Sequence, residues 1–294
     1  MKVDLEKVEE LLTRGVVETY VSQNIRKRLK SGNILRIKLG IDPTSPNVHI
    51  GRAIALWKLR AFQDLGHQIV FIVGDFTAQI GDASDKSSKR PFLSRAEVEG
   101  NMNGYLEQVG KIIDIKKAEV RYNSEWLAKL TFRDISELAE IFSVQQMIER
   151  RNFKERLERH EEISLRELLY PIMQGYDSQM VKADIEIGGT DQLFNLLAGR
   201  KIQEYYGNEP QDIMTLEMLI GLDGRKMSSS WGNTIAINDT PEQMFGKTMS
   251  LRDELMIEYF KNATNLDFSD ISKKESDLRD QKIHPRDLKL ELAE

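Results

Sequence analysis

The chain contains no cysteine, which excludes disulfide bonds, cysteine-ligated zinc and a thiol nucleophile. No apolar run approaches the length of a membrane span, and the charged first residues, MKVDLEKVEELL, do not resemble a signal peptide. We therefore expect a cytoplasmic protein without a membrane anchor. Positive charge is not in excess either, since 42 Lys and Arg stand against 47 Asp and Glu. Any contact with RNA must then come from a local basic patch.

The length and composition are those of a globular protein. The 294 residues suffice for one large or two moderate domains, and 40% hydrophobic with 30% charged residues argues against disorder. We find no internal repeat or low-complexity segment.

The most informative stretch is LRIKLGIDPTSPNVHIGR, residues 35–52. The apolar run 34–41 predicts a buried strand, two prolines then enforce a loop, and apolar residues recur at helical spacing over 49–65. A helix that starts here leaves unpaired N–H groups, which attract anions, and puts His49 and Arg52 on one face. The stretch predicts a triphosphate site, with a helix that merely begins with His and Gly as the alternative.

A second buried strand is predicted at 68–73, QIVFIV. Strand, helix and strand at this spacing form a βαβ unit, which predicts an α/β fold with a Rossmann-like parallel sheet flanked by helices. Ligands bind at the carboxyl ends of such strands. The polar residues expected in that crevice are Asp42, Thr44, His49, Asp75, Thr77 and Asp82.

A polar loop, DASDKSSKRPFLSR, follows at 82–95 and carries the cations Lys86 and Arg90. Without the neighbouring strand it would be interpreted as a solvated surface.

The helix that begins near Ser164 carries Tyr170, Gln174 and Asp177 on one face among apolar residues. This predicts a small polar pocket, although such side chains can also satisfy one another or face solvent. A short strand at 185–187 then leads into GGTDQ, where paired glycines permit close approach to a ligand and Asp191 can bind ribose hydroxyls.

The segment DGRKMSSS, 223–230, is a turn followed by hydroxyl groups and one lysine, which suits phosphate binding, with a flexible linker as the alternative. Elsewhere we predict a strand at 118–123 and helices at 5–13, 17–29, 96–113, 124–159, 241–249, 253–263 and from 285 onward. The last helix has no stop signal, so we expect a truncated chain.

Together these segments resemble the bacterial-type tyrosine–tRNA ligases, which are class I aminoacyl-tRNA synthetases, over nearly the whole chain. PTSPNVHIGR resembles their HIGH region, and IGDASDKSSKR resembles the loop after their second strand. YPIMQGYDS, IGGTDQLFN and KMSSS resemble the amino-acid, ribose and KMSKS segments. The YxxxQxxD spacing separates the tyrosyl enzymes from their tryptophanyl relatives.

The resemblance implies that tyrosine and ATP, with Mg²⁺, give tyrosyl-adenylate and pyrophosphate, and that the tyrosyl group then passes to tRNA(Tyr). It implies a catalytic domain at 1–222 with a helical insertion at about 124–163, and a KMSKS-type loop with the start of a helical domain at 223–294. The family's RNA-binding domain is then absent. A homodimer is implied, and we place its contact in 132–148 and near Leu165.

The resemblance also assigns roles to individual residues, and it implies no metal ligand from the protein. The implied catalytic residues are Thr44, His49, Arg52, Lys86, Arg90 and Lys226. The implied amino-acid-binding residues are Lys38, Asp82, Tyr170, Gln174, Asp177 and Gln192, with Asp177 on the phenol. The implied ATP-binding residues are Gly40, Asp42, His49, Gly51, Gly189, Asp191, Lys226, Met227, Ser228, Ser229 and Ser230.

Three residues depart from the family pattern. Arg52 replaces the last His of HIGH, Ser229 replaces the second Lys of KMSKS, and Lys38 stands where many members carry a Tyr that bonds the substrate phenol. We expect Lys38 or Asp177 to bind the hydroxyl. The departures leave two alternatives open: a catalytically impaired paralogue that binds RNA or protein, and a ligase for another aromatic amino acid, tryptophan foremost.

Overall fold

The computed structural model describes residues 4–84 and 93–294. Within them one sheet of six strands has the order β1-β6-β5-β2-β3-β4. Neighbouring strands are parallel except β1, which pairs antiparallel with β6 at one edge. The strands are β1 (Val16–Tyr20), β2 (Arg36–Ile41), β3 (Gln68–Val73), β4 (Glu119–Tyr122), β5 (Ile185–Gly189) and β6 (Asp212–Leu216).

Helices cover both faces of the sheet. Up to β5 they are α1 (Leu5–Thr13), α2 (Ser22–Lys30), α3 (Ile50–Asp64), α4 (Thr77–Ile80), α5 (Arg95–Met102), α6 (Tyr105–Gly110), α7 (Ser124–Leu127), α8 (Phe132–Ala139), α9 (Val144–Ile148), α10 (Arg151–Glu158) and α11 (Leu165–Val181). After β5 they are α12 (Leu193–Tyr205), α13 (Pro241–Met249), α14 (Met256–Ala263), α15 (Phe268–Arg279) and α16 (Pro285–Ala293).

The central strands are buried on both faces, which confirms the predicted α/β fold. In β3 every residue after Gln68 is buried, and β6 is buried throughout. Parallel strands covered by helices on both sides carry continuous apolar runs rather than alternating ones. This is why QIVFIV could be recognised as a buried strand from its sequence.

The prediction of one helix over 17–29 is wrong. Its first half is the edge strand β1, whose residues VVETY are mostly β-branched or aromatic and pair with β6, and only its second half is helical, as α2. The predicted helix 96–113 is also interrupted, because Gly104 adopts a positive φ of 70° between α5 and α6. Helix α15 was not predicted, since Ile271 is its one buried residue and leaves no apolar stripe.

The helices that follow the KMSSS loop share a hydrophobic core with the sheet. Met256, Tyr259 and Phe260 of α14 belong to the same buried cluster as residues of α3 and the central strands. α14 contacts α3 directly, and α16 packs on α13 and α14. Among the described residues, no helix combines the length and apolarity that crossing a membrane requires.

The chain order places a crevice between β2 and β5. From β2 the chain crosses to β3 on one side, whereas β5 pairs with β2 on the other. Loops that leave the carboxyl ends of strands on either side of such a switch point diverge and leave room for a ligand. The fold therefore predicts a site above β2 and β5.

Candidate active site

A cavity of about 590 Å³ lies at this crevice. Its walls bring together nearly all the residues that were predicted separately from distant motifs. The predicted residues that line it are Gly40, Asp42, Thr44, His49, Gly51, Arg52, Asp82, Tyr170, Gln174, Asp177, Gly189, Asp191, Gln192, Lys226, Met227, Ser228 and Ser229. Lys86, Arg90 and the side chain of Ser230 lie outside the described residues.

Asp177 forms the buried end of the cavity. Its Oδ1 accepts a hydrogen bond from Trp126 Nε1 at 2.7 Å, and its Oδ2 accepts one from Asn123 Nδ2 at 3.2 Å. Burial raises the pKa of Asp177 to about 7, against the opposing field of Lys38. A carboxylate held at a fixed position in this way is suited to accept a hydrogen bond from a ligand hydroxyl.

Asn123 and Trp126 belong to the site but were not predicted from the sequence. Asn123 follows β4 directly, so it lies at the same edge of the sheet as Asp42 after β2, and a polar residue at that position was an available signal. Trp126 lies in the short helix α7, where an apolar side chain gave no indication of its role.

Tyr170 and Asp42 connect α11 to the end of β2. Tyr170 Oη donates to Asp42 Oδ2 at 2.9 Å, and Asp42 Oδ1 accepts from Thr77 Oγ1 at 2.7 Å. Burial raises the pKa of Tyr170 well above its ordinary value, so the phenol stays a neutral donor. Gly74 makes room for this arrangement, because a Cβ there would lie 2.0 Å from Asp42 Oδ1.

Asp82 and Gln192 form a polar wall beside this end. Gln192 Nε2 donates to Asp82 Oδ2 at 2.6 Å, and Asp82 Oδ1 accepts from the backbone N–H of Ser84 at 2.9 Å. Asn195 Nδ2 in turn donates to Gln192 Oε1 at 2.9 Å and fixes the amide. A carboxylate and an amide side by side suit a ligand that carries both an ammonium and a carboxylate.

The KMSSS loop docks on the start of α3 at the other end of the cavity. The backbone N–H of Gly51 lies 3.3 Å from Met227 Sδ, and Ile50 N donates to Ile235 O at 2.9 Å. A Cβ at position 51 would lie 3.1 Å from both His49 Nδ1 and Met227 Sδ, so the glycine permits this close contact. Gly51 and Met227 are 176 residues apart in sequence, and their contact makes the two motifs one surface.

His49 is the residue that precedes the first turn of α3, and it is buried. Burial, reinforced by the positive charges of Arg52 and Lys226, lowers the pKa of His49 to about 3. The imidazole is therefore neutral at physiological pH. It can still donate a hydrogen bond to a phosphate oxygen without adding a third positive charge.

Arg52 and Lys226 are the described cations that line the cavity, at the end where phosphate binding was predicted from the sequence. Arg52 Nη2 donates to Thr44 Oγ1 at 2.9 Å, so the arginine that replaces the family's histidine orients another predicted catalytic residue. Lys226 Nζ donates to Asp191 Oδ2 at 2.9 Å.

Lys38 is placed differently from the other predicted amino-acid-binding residues. It is fully buried, is not one of the described residues that line the cavity, and forms an ion pair with Glu186. Side chains alternate along a strand, so Lys38 shares a face of β2 with Gly40, which does line the cavity. Its amine donates to the backbone oxygen of Gln174 and to Ser178 Oγ, so it lies beneath α11.

No cluster of three or more His, Cys, Asp or Glu within the described part of the chain could hold a metal ion.

Comparison with known proteins shows the family. The family model for tRNA synthetases class I (W and Y) matches residues 30–294. A tyrosine–tRNA ligase of Thermotoga maritima is 48% identical over 289 residues, which cover 98% of this chain and 72% of the relative. A tyrosine–tRNA ligase of Carboxydothermus hydrogenoformans is 46% identical over an alignment of 299 positions, which covers 100% of this chain and 73% of the relative.

A solved structure shows the same fold. The tyrosyl-tRNA synthetase of Archaeoglobus fulgidus, solved as a complex with L-tyrosine, superposes with a TM-score of 0.79 at 21% identity and covers 100% of this chain and 95% of that one. The family model and the sequence identity to known ligases agree, and the fold brings the family's motifs into one cavity. This chain therefore belongs to the class I aminoacyl-tRNA synthetases, in the tyrosine–tRNA ligase family.

Proposed function

We propose that this chain activates L-tyrosine with ATP to give tyrosyl-adenylate and pyrophosphate, and then transfers the tyrosyl group to the 3′-terminal adenosine of tRNA(Tyr). One observation carries the proposal: the buried carboxylate of Asp177, which suits a phenol, and the ammonium of Lys226, which suits a phosphate, line a single cavity. A cavity with these two ends can hold an aromatic amino acid and a nucleotide in contact.

The amino-acid end supplies a partner for each polar group of tyrosine. Asp177 would accept the phenol hydroxyl, Tyr170, Gln174 and Asp82 would surround the ammonium, and Gln192 would lie near the carboxylate. A buried acceptor discriminates strongly, because a substrate that lacks the hydroxyl leaves it unpaired; the tyrosyl enzymes are the standard example, with about 10⁵-fold preference over phenylalanine. The fixed geometry of Asp177 supports the same role here.

The chemical step needs no nucleophile or base from the protein. A carboxylate oxygen of tyrosine attacks the α-phosphorus of ATP and forms a mixed anhydride, while the bond from that phosphorus to the bridging oxygen breaks and pyrophosphate leaves with the electron pair. The protein aligns the reactants and stabilises the charge that develops on pyrophosphate. Lys226, Arg52 and the neutral donor His49 lie at the end of the cavity where that charge would develop.

The nucleoside would bind across β5 and the start of α3. Gly189 and Asp191 would bind the ribose, Thr44 and His49 the phosphates, and the KMSSS loop would cover the pyrophosphate. A Cβ at Gly189 would lie 2.6 Å from Asp191 Oδ1, so the glycine lets the carboxylate fold back over the strand end. Lys86 and Arg90 are proposed to bind the pyrophosphate together with the KMSSS loop.

ATP would enter with Mg²⁺. The two carboxylates that line this part of the cavity already have partners, since Asp42 accepts hydrogen bonds from Tyr170 and Thr77, and Asp191 accepts one from Lys226. This donor set fits a magnesium ion that is held chiefly by phosphate oxygens and water, whose charge would neutralise the phosphates.

The proposal extends to the assembly. We propose a cytoplasmic homodimer in which residues 1–222 form the catalytic domain and 223–294 the KMSSS loop and the helices after it. Phe132 and Leu165 are 86% and 80% exposed, in α8 and at the start of α11, where the dimer contact was predicted. Exposed large apolar side chains of this kind are typical of an interface.

Amino-acid-dependent ATP–pyrophosphate exchange tests the proposal, with tyrosine, phenylalanine and tryptophan run side by side. We expect exchange with tyrosine and a strong preference over the other two. Exchange with tryptophan alone would identify the related ligase. Folded protein that binds tyrosine and exchanges with none of the three would indicate an impaired paralogue.

A further inference from the structure

Lys38 and Glu186 form an ion pair that is closed off from solvent. The two residues face each other across the parallel strands β2 and β5, and Lys38 Nζ lies 2.7 Å from Glu186 Oε1. Their side chains are 0% and 1% exposed. Neither is one of the described residues that line the cavity.

Every donor of the lysine and every oxygen of the glutamate is used. Besides the ion pair, Lys38 Nζ donates to Ser178 Oγ at 2.7 Å and to the backbone oxygen of Gln174 at 2.9 Å. Glu186 accepts from Gln174 Nε2 at 3.2 Å, from Ser178 Oγ at 2.9 Å and from Gln211 Nε2. The network therefore binds helix α11 to two strands of the sheet through both the backbone and the side chain of Gln174.

The packing of the helices is adapted to this network. A Cβ at Gly199 of α12 would lie 2.5 Å from Gln211 Nε2 and 2.8 Å from Ser178 Oγ. A Cβ at Gly175 of α11 would lie 2.9 Å from the backbone carbonyl carbon of Ala198. The two glycines let α11 and α12 approach closely enough to enclose the polar groups.

The loss of hydration by both ions can exceed the attraction between them, so a buried ion pair is weak evidence for stability and calls for another role. Gln174 lines the cavity, and Asp177 follows it on α11 by three residues, about one helical turn. Whatever fixes Gln174 against the sheet also fixes the carboxylate that would accept the substrate phenol.

We propose that the Lys38–Glu186 pair positions Gln174 and Asp177 for tyrosine recognition, so that the preference for tyrosine over phenylalanine depends on two residues that do not line the cavity. This inference rests on the proposed function. It makes Lys38 a positioning residue that acts through α11, in contrast to a residue that contacts the phenol itself.

The two charges also act in opposite directions on Asp177. The positive charge of Lys38 lowers the pKa of Asp177 and the negative charge of Glu186 raises it, while Trp126 and Asn123 donate hydrogen bonds to its carboxylate. Tyr170, Asp42 and Asp82 are further titratable groups that line the cavity, and burial keeps the phenol of Tyr170 neutral. Removal of either charge should therefore move the pH dependence of tyrosine binding in a direction that a purely structural defect does not produce.

The test compares Lys38→Met, Glu186→Gln and the double variant K38M/E186Q with the unmodified chain in pyrophosphate exchange. We expect Lys38→Met to lower the ratio of kcat/KM for tyrosine to that for phenylalanine about tenfold or more, as expected for a misplaced recognition group. The pH at which tyrosine affinity is half-maximal should rise in Lys38→Met and fall in Glu186→Gln.

Lys58→Met is the matched control. Lys58 is a second buried lysine, whose Nζ donates to the backbone oxygens of Leu11 at 2.8 Å and Arg14 at 2.6 Å at the end of α1. This variant removes a lysine ammonium from a buried site that does not contact α11. The ratio of kcat/KM for tyrosine to that for phenylalanine should therefore not change, even if the variant is less stable.

The inference is overturned if folded Lys38→Met keeps a tyrosine to phenylalanine kcat/KM ratio within about twofold of that of the unmodified chain. It is also overturned if Lys58→Met lowers this ratio as much as Lys38→Met does. A third contrary result is a shift of the binding pH midpoint in the same direction in Lys38→Met and Glu186→Gln. If Lys38→Met does not fold, K38M/E186Q applies the same ratio test, because it leaves no lone buried charge. If the unmodified chain shows no tyrosine-dependent exchange, the proposed function itself fails.

Discussion

Lys226 and Asp191 neutralise one another across the cavity, with Nζ 2.9 Å from Oδ2. The lysine belongs to the KMSSS loop and the carboxylate to the turn after β5, so this ion pair joins the two segments proposed to hold pyrophosphate and ribose. ATP that binds there would give each group a new partner, since ribose hydroxyls suit the carboxylate and phosphate oxygens suit the ammonium.

Lys226→Met should lower the maximal exchange rate about 10²- to 10³-fold, because it removes a cation that stabilises the leaving pyrophosphate. The dissociation constant for tyrosine should change less than about threefold, since the lysine lies at the phosphate end. Pyrophosphate exchange and calorimetry with tyrosine measure the two quantities. Arg225→Met is the control, because Arg225 is in the same loop but pairs with Asp223 at the surface. Equal losses in both variants would contradict the role assigned to Lys226.

Asp177 should make tyrosine binding depend on pH. The pKa of its carboxyl is raised to about 7, so the free protein holds a proton there below that pH and binds the phenol through a neutral acceptor. Hydrogen bonds to a charged acceptor are stronger, so affinity for tyrosine should rise as pH increases through about 7. Affinity for phenylalanine, which has no hydroxyl to bind Asp177, should not rise with pH in this way.

The measurement is tyrosine titration between pH 5.5 and 8.5 by calorimetry, in buffers of different ionisation enthalpy to detect proton release. Tyrosine binding at pH 6 should release a proton, and Asp177→Asn should abolish both the release and the pH dependence. A pH-independent affinity in the unmodified chain would refute this assignment.

Protonation of His49 should contribute to the loss of folding stability at acid pH. The pKa of its imidazole is lowered to about 3 in the folded state, whereas an unfolded histidine binds a proton near pH 6.5. The unfolded state therefore takes up more protons between these values, and stability falls as pH decreases through that window. The contribution lost between pH 8 and pH 5 is about 2 kcal/mol.

Urea unfolding at pH 8 and at pH 5 measures this loss in the free energy of unfolding. His49→Asn should show a smaller loss between pH 8 and pH 5 than the unmodified chain. His160→Asn serves as the control, because His160 is exposed and its positive φ of 57° is one that asparagine tolerates. An identical loss in His49→Asn and the unmodified chain would show that the imidazole is not buried neutral.

The exposed apolar side chains of α8 and α11 should mediate dimerisation. Light scattering at micromolar concentration should give twice the mass of the chain, and Phe132→Glu combined with Leu165→Glu should give the monomer mass, because two buried carboxylates without partners are costly. Ile34→Glu is the control, since Ile34 is 67% exposed in the loop before β2. A monomer mass for the unmodified chain would exclude the dimer.

Local patterns in the sequence determined the elements that carry the site. The apolar run QIVFIV and the prolines before His49 specify strand, loop and helix through short-range effects, namely burial of continuous apolar runs and the fixed φ of proline. The spacing of Tyr170, Gln174 and Asp177 placed them on one face of α11 in the same way. For these reasons the α/β fold and most cavity residues could be predicted.

Tertiary structure decided what depends on contacts between distant segments. Strand β1 forms because β6 offers an edge to pair with, and its short sequence alone also suited a helix. Asp177 acquires its pKa from burial and from Trp126 and Asn123, which no spacing links to it. Lys38 could be assigned to a face of β2, but only the register with β5 places Glu186 opposite it. The protonation state of a buried group, its ion pairs and the pairing of a strand are properties of the packed structure, because each depends on which distant chain segments lie beside it.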